Sequence, residues 1–262
     1  MKISILISSY NKGNYLEKCI LSCLNQKYKD YEVILIDNES TDETESILKK
    51  YREHIIIRSE PKISKYSPVN QIDILNKALI ISSGEIICFL DADDYFENNK
   101  LEELNKLFLN NCEVSVIFDK PKILDNDIFS HFKIKKKFNK HIWPTTHPTS
   151  SISIKKSFIK KLFENKIFQK YPLLEIDFII TNLSKMIYKN FLITNLNLTV
   201  YRKVSDGIMS KIKKFSINWW KKRLQAHYFI FDIYKENEIE YKKNYDFYIT
   251  KITVWLLNKK IK

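Results

Sequence analysis

The order of apolar and amphipathic runs from Ile3 to Leu109 constrains the fold more than anything else in this chain. Ile3–Ser9, Tyr31–Asp37, Ile55–Ile57 and Ile86–Leu90 have strand length and are apolar at nearly every position instead of every second one. Strands of that kind are covered on both faces. Between and after them, Asn14–Gln26, Thr41–Tyr51, Pro68–Ser82 and Leu101–Leu109 repeat apolar residues at helical spacing. Asn14 followed by Glu17 predicts a capping box, the acidic first turn of the Thr41 helix suits the helix dipole, and Gly84 closes the Pro68 helix. This alternation predicts an α/β fold with a mostly parallel sheet between two helical layers. Ligands of such sheets bind beyond the carboxyl ends of the strands. Ser8-Ser9-Tyr10-Asn11, Asp37-Asn38-Glu39-Ser40 and Asp91-Ala92-Asp93-Asp94 are therefore expected to meet at one crevice.

The last of these segments is the most informative about chemistry. Three carboxylates within four residues, at the end of a buried strand, raise one another's pKa unless a cation lies between them. Hard divalent cations take oxygen ligands, and Mg²⁺ reaches proteins through one or two carboxylates plus substrate phosphates. A plain turn is the structural alternative for any single Asp-x-Asp. The chain has only three glycines, with no Gly-x-Gly-x-x-Gly after the first strand and no Gly-x-x-x-x-Gly-Lys-Ser/Thr. Phosphates therefore have to be held by something other than a glycine-rich loop, and an acid-bound metal is the available device.

Composition narrows the partners. Lys+Arg number 44 against 31 Asp+Glu, a formal net charge of +13, which implies an anionic partner: nucleic acid, anionic lipid or a phosphorylated substrate. Cys19, Cys23, Cys88 and Cys112 lack metal-ligand spacing and read as small hydrophobes in a reducing compartment, rather than as a zinc or disulfide framework. The apolar start, Met1–Ile7, is too short for a signal sequence. No run approaches the ~18–20 apolar residues of a membrane span.

Beyond residue 110 the pattern is less regular. Lys133–Lys140 is a basic run, His141–Ser150 a loop with two prolines, Ser151–Ile154 a short strand, Leu174–Tyr188 a helix and Phe191–Tyr201 a strand. Ser216–Lys262 is aromatic and basic and reads as two helices. The expected organisation is a catalytic domain over residues 1–205, with halves 1–110 and 111–205, and a helical extension over 206–262.

Ile5–Asn11, Val33–Asp42, Ser83-Gly84-Glu85 and Phe89–Asp94, in this order and spacing, resemble the inverting family-two glycosyltransferases of GT-A fold. The resemblance runs from residue 3 to about residue 110 and weakens beyond. It implies that Ser8, Ser9 and Tyr10 line a nucleotide pocket and that Asp37 meets the base. The structural alternative for Asp37 is a cap for the Thr41 helix. It also implies that Asp91 touches the ribose or the metal, with Ala92 beside the nucleotide, and that Asp93 holds Mn²⁺ or Mg²⁺ bridging the diphosphate. Asn76 matches an asparagine in the helix before the metal motif. The basic residue the family often has ahead of it is Leu75 here, so Lys65 is a candidate replacement.

The resemblance implies a single displacement at the anomeric carbon, with a carboxylate at the start of a helix in the second half as general base. The matching stretch holds Glu175 and Asp177, split by Ile176. Residues two apart on a helix do not share a face, so one of the two is the base; Asp177 is preferred. His147 lies in a segment similar to the one bordering acceptor and diphosphate, against a structural role. Arg202 matches a basic contact to the leaving group, against a surface ion pair. The implied partners are a nucleotide-diphospho-sugar, with UDP favoured, and a glycan or lipid-linked glycan acceptor of a bacterial surface polysaccharide. The expected location is cytoplasmic. Residues Trp219–Arg223, Tyr228–Phe231 and Trp255–Leu257 are a candidate contact to the inner face of an anionic membrane, or simply packing. Two other readings stand beside this one: a nucleotidyltransferase on a similar fold, and a basic nucleic-acid-binding protein. The first lacks its glycine-rich signature and the second does not account for the acidic tetrad, so no nucleic-acid partner is expected.

Overall fold

The computed structural model describes residues 1–133, 144–164, 167–208, 210 and 212–259. Its first half follows the alternation of the sequence: β1 (Ile3–Ser9), α1 (Gly13–Leu24), β2 (Tyr31–Asp37), α2 (Thr44–Tyr51), β3 (Ile56–Ser59), α3 (Ser67–Ile81), β4 (Ile86–Asp91), β5 (Tyr95–Phe96) and α4 (Lys100–Asn110). Then come β6 (Val116–Phe118), β7 (Lys122–Asp125), β8 (Ile128–His131), a 3₁₀ turn at Thr149–Ser151, β9 (Ile152–Lys155), α5 (Lys156–Glu164), α6 (Ile167–Lys170) and α7 (Ile176–Asn182). Leu183–Tyr188 continues α7 as a π-helix, followed by β10 (Phe191–Ile193), β11 (Thr199–Arg202), α8 (Ile217–Glu236) and α9 (Tyr245–Lys259).

A seven-stranded sheet runs β10-β6-β9-β4-β1-β2-β3, and a smaller sheet runs β5-β11-β7-β8. Side chains of alternate residues go to opposite faces of each strand, and both faces are core. Ile5, Ile7, Leu35 and Leu90 pack with Leu16 and Ile20 of α1 and Leu104 of α4. Leu6, Ile34, Ile36 and Phe89 pack with Leu75 of α3, Ile159 of α5, Ile179 of α7 and Phe229 of α8. That two-sided burial is why the strands carry no polar alternation. It also draws the apolar face of α8 (Ala226, Phe229, Ile230 and Ile233) into the core of the main body.

The large sheet is mostly parallel, as expected, with β9 inserted antiparallel between β4 and β6. Three expectations need correction. The strand expected over Phe191–Tyr201 is two strands in different sheets, separated by the exposed Asn195-Leu196-Asn197. α2 begins at Thr44 instead of Thr41. Asn14 lies inside the first turn of α1 and caps nothing: Lys12 holds the cap position, and the Gly13 N–H donates to Asp42 Oδ2 at 2.9 Å, from the loop after β2. Glu17 accepts from the Tyr51 hydroxyl at 3.1 Å, so no capping box forms. Of the Lys133–Lys140 run, residues 134–140 lie outside the described residues, as do 141–143 of the following loop.

Gly84 is required by close approach. Its N–H donates to Ser4 Oγ at 2.9 Å, and a Cβ there would lie 2.5 Å from Ser4 Oγ and 2.6 Å from the Ser4 backbone nitrogen. Gly84→Ala is expected to destabilise the chain by about 1–3 kcal/mol, because the β1–β4 pair must give way to overpacking. A urea melt checks this; an unchanged midpoint contradicts it.

Candidate active site

Parallel pairing sets the frame of the site. Register places Ser8 opposite Asp91 and Ser9 opposite Asp37, so the ends of β1, β2 and β4 share one edge. A cavity of about 620 Å³ opens there. It is lined by Ser8, Ser9, Tyr10, Asn38 and Asp91-Ala92-Asp93 at the strand ends, by Lys65, Asn70 and Gln71, and by Glu175, Asp177 and Arg202. Of the residues named from sequence, the cavity gathers Ser8, Ser9, Tyr10, Asp91, Ala92, Asp93, Glu175, Asp177 and Arg202, along with Lys65.

The three acids of the tetrad have separate surroundings. Asp91 Oδ1 accepts from Ser8 Oγ at 3.0 Å and from Gln71 Nε2 at 2.6 Å. Burial, then the charge of Asp93, pushes the Asp91 carboxyl up to about 7. Asp93 Oδ2 lies 3.0 Å from Lys12 Nζ, which also reaches Asp206 Oδ2 at 2.8 Å. Burial acts to lower the Lys12 ammonium, but Asp93 and Asp206 outweigh it and hold it above its ordinary value. Asp94 is buried and structural. It accepts from Ser150 Oγ at 2.6 Å and from the Arg202 N–H at 2.7 Å, tying β11 to the end of β4. Burial, with the charges of Asp93 and Asp91 added, holds its carboxyl well above the usual carboxylate range.

Asp91 and Asp93 suit a hard divalent cation. Both line the cavity with oxygen donors, and a cation there would offset the burial and the Asp93 charge that raise the Asp91 carboxyl. Among the described residues no group of three or more His, Cys, Asp or Glu side chains forms a metal cage. Two carboxylates alone match the mode in which substrate phosphates supply the remaining ligands.

The cavity lining also holds a second pair of acids. Glu175 stands at the N-cap of α7 and is ion-paired to Lys222 of α8. Asp177, in the first turn, accepts from the Phe178 N–H at 2.7 Å. Burial, then the neighbouring charge of Glu175, pushes its carboxyl up to about 7, against a smaller lowering by Lys222. The Arg202 guanidinium stacks over Tyr15 and Tyr95, at 4.9 and 5.8 Å from the ring centres, and its Nε donates to the Asp93 carbonyl at 3.1 Å.

Three residues named from sequence are not among those lining the cavity. Asp37 accepts from the Ser40 N–H at 2.8 Å and Ser40 Oγ at 2.6 Å, so it fastens the turn after β2 and does not cap α2; Asn38 lines the cavity instead. Asn76 lies a turn and a half beyond Gln71 on α3, and Gln71 makes the contact to Asp91. His147 is fully buried against Phe118 and Phe132, with Lys185 Nζ 3.3 Å from its Nδ1. Burial, then Lys185, lowers its pKa to about 3, so the ring is neutral and belongs to the core; its neighbours Pro148 and Thr149 line the cavity instead. Lys12 and Gln71 were missed. Lys12 follows a strand end where an anion is expected, a usable signal, whereas Gln71 is one polar residue on a helix with several.

The model of the family described as "Glycosyl transferase family 2" matches residues 4–169, more than half of the chain. The chain belongs to glycosyltransferase family 2. The poly(ribitol-phosphate) beta-N-acetylglucosaminyltransferase TarP of Staphylococcus aureus is 32% identical over 166 residues, 54% of this chain and 50% of TarP. The chain spans 39% to 60% of the length of four curated relatives, TarP among them. A crystal structure of residues 1–349 of S. aureus TarS in complex with UDP-GlcNAc superimposes with a TM-score of 0.67 at 17% identity, covering 97% of this chain and 70% of that one. The mannosyltransferase PcManGT of Pyrobaculum calidifontis, in complex with GDP-Man and Mn²⁺, gives 0.55 at 17% identity, with 97% and 69% covered. These likenesses establish the GT-A fold for this member of the family. Glu175, Asp177 and Arg202 lie past the matched segment.

Proposed function

We propose that this chain is an inverting glycosyltransferase that moves a sugar from a nucleotide-diphospho-sugar, with UDP favoured, to a hydroxyl of a glycan or lipid-linked glycan in surface-polysaccharide synthesis. The observation that carries the reading is that Asp91, Asp93 and Asp177 line a single cavity. Relatives named for polymer glycosylation, such as TarP and the putative teichuronic acid biosynthesis glycosyltransferase TuaG of Bacillus subtilis, support the acceptor class.

In this reading Ser8, Ser9 and Tyr10 receive the nucleoside. Asp91 and Asp93 hold Mn²⁺ or Mg²⁺, which when bound offsets the charge that gathers on the diphosphate as the glycosidic bond breaks. Lys12 and Arg202 are the nearby cations for the same oxygens, and Arg202 offers two parallel donors. Asp177 takes the proton of the acceptor hydroxyl as its oxygen bonds to the anomeric carbon and the nucleoside diphosphate leaves. A carboxylate poised near 7 suits that task. Glu175, paired with Lys222, stands beside Asp177, and its charge adds to burial in raising the carboxyl that takes the proton.

A thermal-shift screen of nucleoside diphosphates with and without Mn²⁺ tests the reading. A diphosphate present at about a hundred times its Kd adds roughly 2.7 kcal/mol to the folded state. The expected result is an upward shift with Mn²⁺ and at least one diphosphate together, and little with either alone. No shift with any diphosphate plus Mn²⁺ would overturn the donor assignment.

A further inference from the structure

The outward face of α9 carries six large apolar side chains that nothing in the described chain covers. Tyr245, Tyr248, Ile249, Ile252, Trp255 and Leu256 are 49–87% exposed and follow one another at helical spacing along a single stripe. The opposite side of the helix is already used: Phe247, Thr250 and Val254 are buried, and Phe247 packs among the rings of His227, Tyr228 and Phe231 of α8. A helix apolar on both sides belongs in an interior, and a contiguous exposed patch of this kind marks an interaction surface.

Charge selects the occupant. Asp246 is the one acid in α9, and it is turned inward, with Oδ1 2.6 Å from Arg223 Nη2 and Oδ2 2.7 Å from His227 Nε2. Lys251 and Lys259 are exposed beside the stripe, with Lys259 Nζ 3.9 Å from the centre of the Trp255 ring, and Lys242 and Lys243 precede the helix. Glu240, 3.9 Å from Lys242, and Glu238 are the acids of the preceding loop. A second copy meeting the same stripe would set lysine against lysine with no acid of α9 between them, which is unfavourable. Tyr and Trp flanked by lysine suit a boundary with one apolar side and one anionic side. No helix among the described residues is long and apolar enough to cross a membrane, so the helix would lie along the surface.

We propose that the outer face of α9 docks on an anionic lipid bilayer, with Ile249, Ile252, Trp255 and Leu256 entering the boundary and Lys251 and Lys259 meeting lipid headgroups. α8 contacts both α9 and the cavity lining. Arg223, which holds Asp246 at the start of α9, is next in sequence to Lys222, which holds Glu175 in the cavity wall.

Vesicle co-sedimentation tests the proposal. Wild-type chain is expected to pellet with phosphatidylcholine vesicles containing roughly a third phosphatidylglycerol, and at least tenfold less with phosphatidylcholine alone. Ile252→Glu with Trp255→Glu, both at exposed positions, is expected to weaken the anionic binding at least tenfold with the thermal midpoint unchanged. The proposal is overturned if wild type stays in the supernatant with anionic vesicles, if the double variant pellets as well as wild type, or if sedimentation equilibrium shows a dimer that the variant dissolves without vesicle binding. Nucleoside diphosphate binding, measured on the same variant, is expected to stay at the wild-type level, which separates failure here from failure of the donor assignment.

Discussion

Asp177→Asn lowers glycosyl transfer by about 10²–10⁴-fold, the range for loss of a general base, while nucleoside diphosphate binds as in wild type. The amide keeps the shape of the carboxylate and cannot take a proton. Glu175→Gln acts differently, because it removes the partner of Lys222 and leaves the base in place. Its expected loss is the smaller, and equal small losses from both would exclude the base assignment. The pH profile carries the same argument. Asp177 works ionised, and burial beside Glu175 holds it near 7, so transfer falls about tenfold per pH unit below that value. A cation bound at Asp91 and Asp93 moves the midpoint down. Stability runs the other way. With a folded-state pKa raised from 3.8 to about 7, the native chain binds more protons than the unfolded one across that window. Its contribution to stability is therefore present at low pH and lost as pH rises toward 7. Asp177→Asn flattens that slope, and urea melts across the window measure it.

The second large effect lies beneath the site. Lys100 is fully buried, and its Nζ donates to Asp119 Oδ2 at 2.7 Å, to Thr199 Oγ1 at 2.6 Å and to the Ser150 carbonyl at 2.9 Å. Ser150 in turn bonds Asp94 through Oγ and receives the Asp91 N–H. One ammonium thus ties α4, β6, β11 and the 3₁₀ turn to the acidic end of β4. Lys100→Met leaves the buried Asp119 carboxylate without its cation and is expected to destabilise the fold by about 3–5 kcal/mol. Replacing both, Lys100→Met with Asp119→Leu, recovers most of that loss, because the cost lies in the unpaired charge. Denaturant unfolding of the three variants decides it: if Lys100→Met matches wild type, the pair does not hold these elements together.

What could be read from the chain follows from how each feature is encoded. β1, β2 and β4 were legible because two covering layers demand apolar residues at every position. Asp91 and Asp93 were legible because acids at the end of such a strand stand where ligands bind. β9 and β10 are short runs of four and three residues, and their placement depends on partners distant in sequence. The pairing of Lys100 with Asp119 was hidden because a lysine opening a helix reads as solvated. For His147 the structural alternative fits the geometry, since its neighbours Pro148 and Thr149 line the cavity while its own ring turns into the core. Asp37 ends a strand on the right edge, yet two bonds from Ser40 occupy its carboxylate.

The central claim is that Asp93, beside Asp91, engages a divalent cation through which a nucleoside diphosphate is held. Calorimetric titration of the diphosphate found in the thermal screen, into wild type and Asp93→Ala, each with Mn²⁺ and with chelator, measures this directly. The account predicts binding by wild type that depends on Mn²⁺, and in the folded variant a loss of that dependence. An Asp93→Ala chain that binds as tightly as wild type in Mn²⁺ would contradict it.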